Sequence, residues 1–326
     1  MPMRNVGAAI AGIILGLSMP SAFGLDGTGR IPDVDFFPPW QAGANNPSLD
    51  RGLEFTVPEA DNLADFHGDL SAAKLILYVG GNYFFAMAPL VAAFEEAHPD
   101  LKGGIYYETI PPGLLARQLK AGGRITVGNM TWMAKPDAYF AGKLAVQRLI
   151  DQGDLVGPPT IYATNQLAIM VPKGNPAQVK TLSDLGRPEI RLAMSNPEFE
   201  GVARQIKAAL AKAGGDDLVK SVYETKVKDG STLLTRMHHR QTPVWLMQGR
   251  AQAGVTWRSE TIFQEQRGLA TERVDIPPEQ NVTGIYSGAV VKDAAHANEA
   301  RAWLEFLKSK QAQAIFARYG FGRYAE

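Results

Sequence analysis

From Lys74 onward the chain alternates short apolar runs with segments whose apolar residues recur every three to four positions. Residues 75–81 (LILYVGG) are apolar throughout and close on two glycines, which predicts a buried parallel strand. In the following MAPLVAAFEEAHPD, Leu90, Val91, Phe94 and Ala97 fall at helical spacing, and Pro99 ends the helix. Residues 104–110 read as a second strand, and 111–123 as a helix with proline at its start and glycine at its end. Residues 125–130 read as a third strand, and 166–176 as a longer one ended by a turn. A short helix and a further strand occupy 181–198, and an amphipathic helix with a glycine stop occupies 200–215. Residues 252–257 and 283–292 are strands. Residues 298–321 form one long helical region with Ala302, Leu304, Phe306, Leu307, Ala314, Ile315 and Phe316 as its apolar stripe. Strands alternating with helices predict an α/β fold with largely parallel sheets.

The segment before Lys74 follows a different pattern. Arg4 is followed by an uncharged run over 6–17, and Ala22 and Gly24 are spaced like a cleavage site. This predicts a signal peptide over 1–24, cleaved after about Gly24, and hence a periplasmic protein. Residues 25–70 are rich in Pro, Gly, Asn and Asp, with Phe36, Phe37, Trp40, Phe55 and Phe66 between them. They read as an extension that wraps the body and is pinned to it by those rings. No later stretch approaches the ~20 apolar residues of a membrane helix.

Composition removes several classes. The 326 residues include 33 Lys and Arg, 33 Asp and Glu, and no cysteine. Disulfides, thiolate metal sites and cysteine nucleophiles are therefore excluded, and no chain-wide basic footprint for nucleic acid exists. With 45% hydrophobic residues the chain is not of the disordered class.

The stretches APLVAAFEEAHPDLK, LLARQLKAG, QLAIMVPKGNPAQVKTLSDLGRPEIRLAMSNPE, AQAGVTW and AWLEFLKSKQAQAIFARYGF resemble, in order, the periplasmic molybdate-binding proteins. More broadly they resemble type II solute-binding proteins of uptake systems. The resemblance covers residues 74–321. It implies two α/β lobes joined by two crossing strands and closing on a ligand. Lobe one would be 71–164 with 286–326, and lobe two 165–285. The hinge strands would run near 165–168 and 284–287. Binding at the carboxyl ends of parallel strands also follows from α/β geometry alone. The ligand-facing loops would then be 80–85, 108–113, 128–132, 195–201, the segment 242–246, and 256–260.

Molybdate-type members hold an oxyanion with serine-rich turns at helix starts and a tyrosine on the last strand of lobe two. At those places this chain has Gly80-Gly81-Asn82-Tyr83-Phe84-Phe85 and Thr109-Ile110-Pro111-Pro112-Gly113, with Trp257 at the tyrosine position. Two prolines supply no N–H. Glu108 would oppose an anion by about 4 kcal/mol at 4 Å and an effective dielectric near 20. The replacements Tyr83, Phe84, Phe85, Ile110, Trp132, Phe199, Trp245 and Trp257 are large and apolar or amphipathic. Burying ~300 Å2 against them supplies about 7 kcal/mol before association costs. Asn82, Glu108, Asn129, Asn196 and Arg258 could orient one polar end. These features predict an organic, partly apolar ligand, such as a lipid or sterol-like molecule with a lone hydroxyl. An oxyanion delivered to an ABC importer is the alternative that the resemblance alone implies. A sensory or assembly module binding a protein partner is a second alternative.

No catalytic motif is present, and neither an enzyme nor a cofactor is expected. Glu108 and Glu260 are the nearest approach to paired carboxylates. His238 and His239 are adjacent, and neighbours on a regular helix or strand do not converge on one ion. No metal site is therefore expected. The expected partners are a small-molecule ligand and an inner-membrane transporter or periplasmic carrier, with no nucleic acid and no stable membrane insertion, and the protein is expected to be a monomer.

Overall fold

A computed structural model describes residues 66–127, 130–198, 200–235 and 238–323. The segment read as a signal peptide and most of the extension lie outside the described residues.

The described chain is built on one curled, mixed sheet whose first part follows the pattern read from the sequence. Strands β1 (Phe66–His67), β2 (Leu75–Gly80) and β3 (Ile105–Ile110) open it. β2 and β3 run parallel, with Leu75 opposite Ile105 and Gly80 opposite Ile110. β1 is the last piece of the extension. It adds antiparallel to β3, and His67 stacks on Tyr107 at 4.5 Å between ring centroids. Helix α1 (Phe84–Ala97) connects β2 to β3, and α2 (Pro112–Lys120) follows β3 with proline in its first turn.

The third strand departs from expectation. The strands on either side of 128–129 pair instead with each other as a separate two-stranded sheet, β4 (Arg124–Val127) with β5 (Met130–Met133). The third place in the sheet goes to β6 (Ala138–Gly142), parallel to β2. Ala138, Tyr139, Phe140 and Ala141 are all buried, while Met133 is 57% exposed. Burial on both faces decides which apolar run enters a parallel sheet.

After α3 (Lys143–Asp151), strand β7 (Leu155–Pro172) runs for 18 residues, starting well before the predicted strand. β8 (Leu192–Met194), α4 (Gly201–Lys220), α5 (Lys226–Lys228), β9 (Thr232–Leu234), α6 (Gln241–Met247), β10 (Ala253–Trp257), α7 (Arg258–Gln266), β11 (Thr271–Asp275) and β12 (Thr283–Val291) follow. The order across the sheet is β1-β3-β2-β6-β12-β7-β10-β8-β9, with β11 also paired to β7. β7 is therefore shared. Its first two thirds pair with β12, from Leu155 opposite Val291 to Gln166 opposite Thr283. Its last third pairs with β10 and β11 on opposite edges.

The C-terminal helical region is two helices, α8 (Ala297–Lys308) and α9 (Lys310–Arg318). Ser309 is extended and its hydroxyl accepts the Ala312 N–H, capping α9. The chain then returns to β7, where Thr164 and Gly322 exchange two backbone hydrogen bonds of 2.8 and 2.9 Å. Trp303, Leu304, Leu307, Ile315 and Phe316 join α1 and the sheet in the main core. Among the described residues no helix is long and apolar enough to cross a membrane.

Gly254 illustrates how tightly the sheet is packed beyond β7. A Cβ there would lie 2.5 Å from both the Ala193 carbonyl oxygen and the Thr242 methyl. Backbone cannot give way as a flexible side chain can, so Gly254→Ala is expected to destabilise the fold by about 1–3 kcal/mol. Equilibrium denaturation read by far-UV circular dichroism measures it, and an unchanged midpoint would show that the strand has room.

Candidate functional site

A cleft of about 450 Å3 opens where β7 and β12 cross between the two parts of the sheet. One wall carries Asn82, residues 111–113, residues 141–145 and Arg148. The other carries Glu200, Gly201, Val202, Arg204, Gln205, His238, His239 and Trp257. The floor is residues 283–286 of β12.

The floor rests on a polar knot at the crossing. Asn82 donates to the Tyr286 hydroxyl. Asn165, on β7 opposite Gly284, donates to Ser259 Oγ at 2.7 Å and to the Tyr286 hydroxyl at 3.4 Å. Tyr83 and Tyr162 share a hydroxyl contact of 2.5 Å. Burial raises the pKa values of Tyr83, Tyr162 and Tyr286, so all three phenols keep their protons. Trp257 lies on this floor at the end of β10, and its indole is 6% exposed. Gly284 makes that seat possible, because a Cβ would stand 2.4 Å from the indole ring.

The second wall is held by a buried chain of charged groups. Glu200 sits at the N-cap of α4, where the helix dipole favours a negative charge. One carboxylate oxygen accepts the Asn196 N–H at 3.2 Å and the Thr235 hydroxyl. The other accepts the His239 N–H at 2.5 Å and faces His239 Nδ1 at 3.0 Å. His239 Nε2 faces Glu260 Oε2 at 3.6 Å across the ring. Glu260 lies in the first turn of α7 and accepts the Thr256 hydroxyl at 2.5 Å. His238 Nδ1 accepts two bonds of 3.2 Å, from the Arg240 backbone N–H and from Nε–H. The Arg240 guanidinium also donates to the Thr109 carbonyl at 3.0 Å and covers the Phe84 ring at 4.9 Å. Burial, then the neighbouring His239 and Arg240, hold His238 well below the ordinary imidazole pKa, so its ring is neutral at pH 7.

Adjacency had argued against convergence of the two histidines. In the structure their ring centroids are 3.7 Å apart, and each offers a nitrogen within 4.8 Å of the other and of a Glu200 oxygen. They lie in a turn before α6, not in a regular element, so alternation of side-chain direction does not apply.

The residues singled out from sequence distribute unevenly. Asn82 and Trp257 line the cleft. Tyr83 sits beneath it in a ring cluster with Tyr162, Tyr286, Phe316 and Phe321. Phe85 stacks on Phe263 at 4.6 Å, with Phe84 edge-on to both. Trp245 is buried in a separate cluster with Met170, Ala193, Leu246 and Ala251. Glu108 is fully buried and accepts from Gln118 and Tyr106 on the side of β3 away from the cleft lining. Ile110 packs in the cluster of Tyr78, Leu115 and Tyr139. Asn196 shapes the loop that holds Glu200, and Arg258 pairs with Asp275. Asn129 and Phe199 lie outside the described residues, as does the Trp132 side chain.

Sequence reasoning missed Lys143, Arg148 and Arg204 on the cleft walls, and the pairing of Glu200 with His239. An acidic residue directly before a helical stretch was the one available signal for Glu200.

Glu200→Ala is expected to destabilise the protein by about 2 kcal/mol or more, because two backbone N–H groups and a hydroxyl lose a buried acceptor. Glu200→Gln, which keeps one oxygen, is expected to lose less. Urea unfolding of the three proteins tests the order.

Residues 75–322 match the sequence model of the bacterial extracellular solute-binding protein family. The molybdate-binding protein of Mycobacterium tuberculosis is 25% identical over 242 residues, covering 73% of this chain and 83% of the relative. The solved Azotobacter vinelandii periplasmic molybdate-binding protein superposes with a TM-score of 0.61 at 17% identity, covering 77% of this chain and all of that one. The sulfate-binding protein SubI of Mycobacterium tuberculosis gives a TM-score of 0.63 at 19% identity, covering 76% and 85%. With three quarters of its length inside the family match and a two-lobe binding-protein architecture around the cleft, the chain belongs to the bacterial extracellular solute-binding proteins.

Proposed function

We propose that the protein is the extracytoplasmic binding component of an ABC-type uptake system. It closes two lobes, 71–164 with 286–326 and 165–285, on a small, partly apolar organic solute. It performs no chemistry on that solute. The hinge of this reading is the stretch of β7 and β12 around Asn165 and Gly284, where chain passes between the two halves of the sheet.

One observation carries the ligand reading. Two helix starts beside the cleft carry carboxylates of the protein itself: Glu200 stands at the N-cap position of α4, with no side-chain capping bond to that helix, and Glu260 in the first turn of α7. An anion seated there would meet two negative charges before any donor. On the opposite wall, Pro111 and Pro112 present no N–H at the start of α2. What the cleft offers instead is the indole of Trp257, with Leu144, Val202 and Ile285. In this reading Asn82, Lys143, Arg148 and Arg204 orient the solute's polar end.

An oxyanion remains the second reading, favoured by the same three basic residues and by the similarity to molybdate-binding relatives. Native mass spectrometry separates the two. Protein exposed to a bacterial lipid extract is expected to gain an organic adduct, and Trp257→Ala to weaken that adduct about tenfold or more. A micromolar complex with molybdate or sulfate, and none with organic solute, would overturn the organic reading. Small-angle scattering is expected to record a smaller radius of gyration when solute is bound.

A further inference from the structure

We infer that Glu200, His238 and His239 form a binding site for a first-row divalent transition-metal ion, buried in one wall of the cleft. One carboxylate oxygen and two imidazole nitrogens lie within 4.8 Å of one another. Ligands about 2.1 Å from a tetrahedral ion stand about 3.4 Å apart, so the closest pair, Glu200 Oε2 and His239 Nδ1 at 3.0 Å, needs only slight widening.

The surroundings match what a metal needs. Glu200 has four acceptor positions. Asn196, Thr235 and the His239 backbone N–H use three, and the fourth faces His239 Nδ1. An ion entering there takes the place of the proton between the two atoms. The ring proton then belongs to Nε2, which finds no hydrogen bond among the described residues but faces Glu260 Oε2 at 3.6 Å. A ligating histidine whose other nitrogen donates to a carboxylate is the usual outer arrangement of a metal site. His239 is 4% exposed, so that nitrogen has no route to bulk water.

Coordination through His238 Nε2 moves the ring proton to Nδ1, so both bonds that Arg240 donates to that nitrogen are given up, while Arg240 keeps its bond to Thr109. Two imidazoles and one carboxylate select zinc, nickel or copper over magnesium or calcium, which favour all-oxygen shells. All three residues are buried but belong to the lining of the cleft, so the site lies directly behind its wall.

The inference rests on the proposed function only in treating the cleft as open to small solutes. The test uses tag-free whole protein, stripped with chelator and titrated with zinc by calorimetry, with magnesium and calcium as controls. One zinc per chain is expected, with no binding of the controls. His238→Ala/His239→Ala is expected to weaken zinc binding more than about 100-fold. Cobalt is expected to give visible absorption bands in the unaltered protein, a readout independent of whether the variant folds. Equal zinc content in the unaltered and double-variant proteins, or no cobalt bands in the former, would overturn the site. Absent cobalt bands in a protein that organic solute still compacts in scattering leave the proposed function standing while the metal site falls. Zinc bound at one per chain in a protein that takes up no solute does the reverse.

Discussion

Everything in this molecule hangs on the antiparallel pairing of β7 with β12. β7 is long enough to serve both parts of the sheet, and β12 follows it across most of that length. The hydrogen-bonded ladder sets the spacing and orientation of both halves, while the crossing itself is thin. The proposed closure of the lobes would bend this two-strand crossing. The backbone exchange between Thr164 and Gly322 fixes the chain end to the same place.

Around the crossing, polarity and aromatic bulk are layered. Asn82, Asn165, Ser259 and Tyr286 satisfy one another at the floor. Tyr83, Tyr162, Phe316 and Phe321 fill the space beneath. Buried polar groups that are fully paired specify one geometry, because each alternative leaves a donor or acceptor stranded. Aromatic edges and faces add bulk that does not yield to small displacements. Trp257 belongs to both layers, seated over Gly284 and exposed at one edge to the cleft.

The second wall has the opposite electrostatic character from an anion cradle. Glu200 and Glu260 occupy helix starts and meet through the ring of His239. Buried carboxylates persist only where donors surround them, and here backbone N–H groups and hydroxyls do so. The same wall also carries Val202 and the Trp257 indole, so polar and apolar groups lie side by side along the cleft.

The alternation of apolar runs and helical stripes was enough to read an α/β fold and most strands, while the two-lobe family came from the resemblance of particular stretches to molybdate-binding proteins. Period and burial are local properties and survive in one dimension. The local pattern could not decide which apolar run enters the main sheet: 138–142 pairs on both edges, with β2 and β12, whereas 124–127 pairs only with 130–133. Nor could it decide which aromatic faces a ligand. Tyr83, Phe84 and Phe85 sit in a predicted ligand loop, yet their rings find Tyr162, Phe263 and one another. By itself, the sequence determined the architecture and the absence of thiol chemistry. The tertiary structure alone decided the site, because Glu200, His239 and Glu260 are 39 and 21 positions apart along the chain and meet only where two helix starts turn toward one cleft.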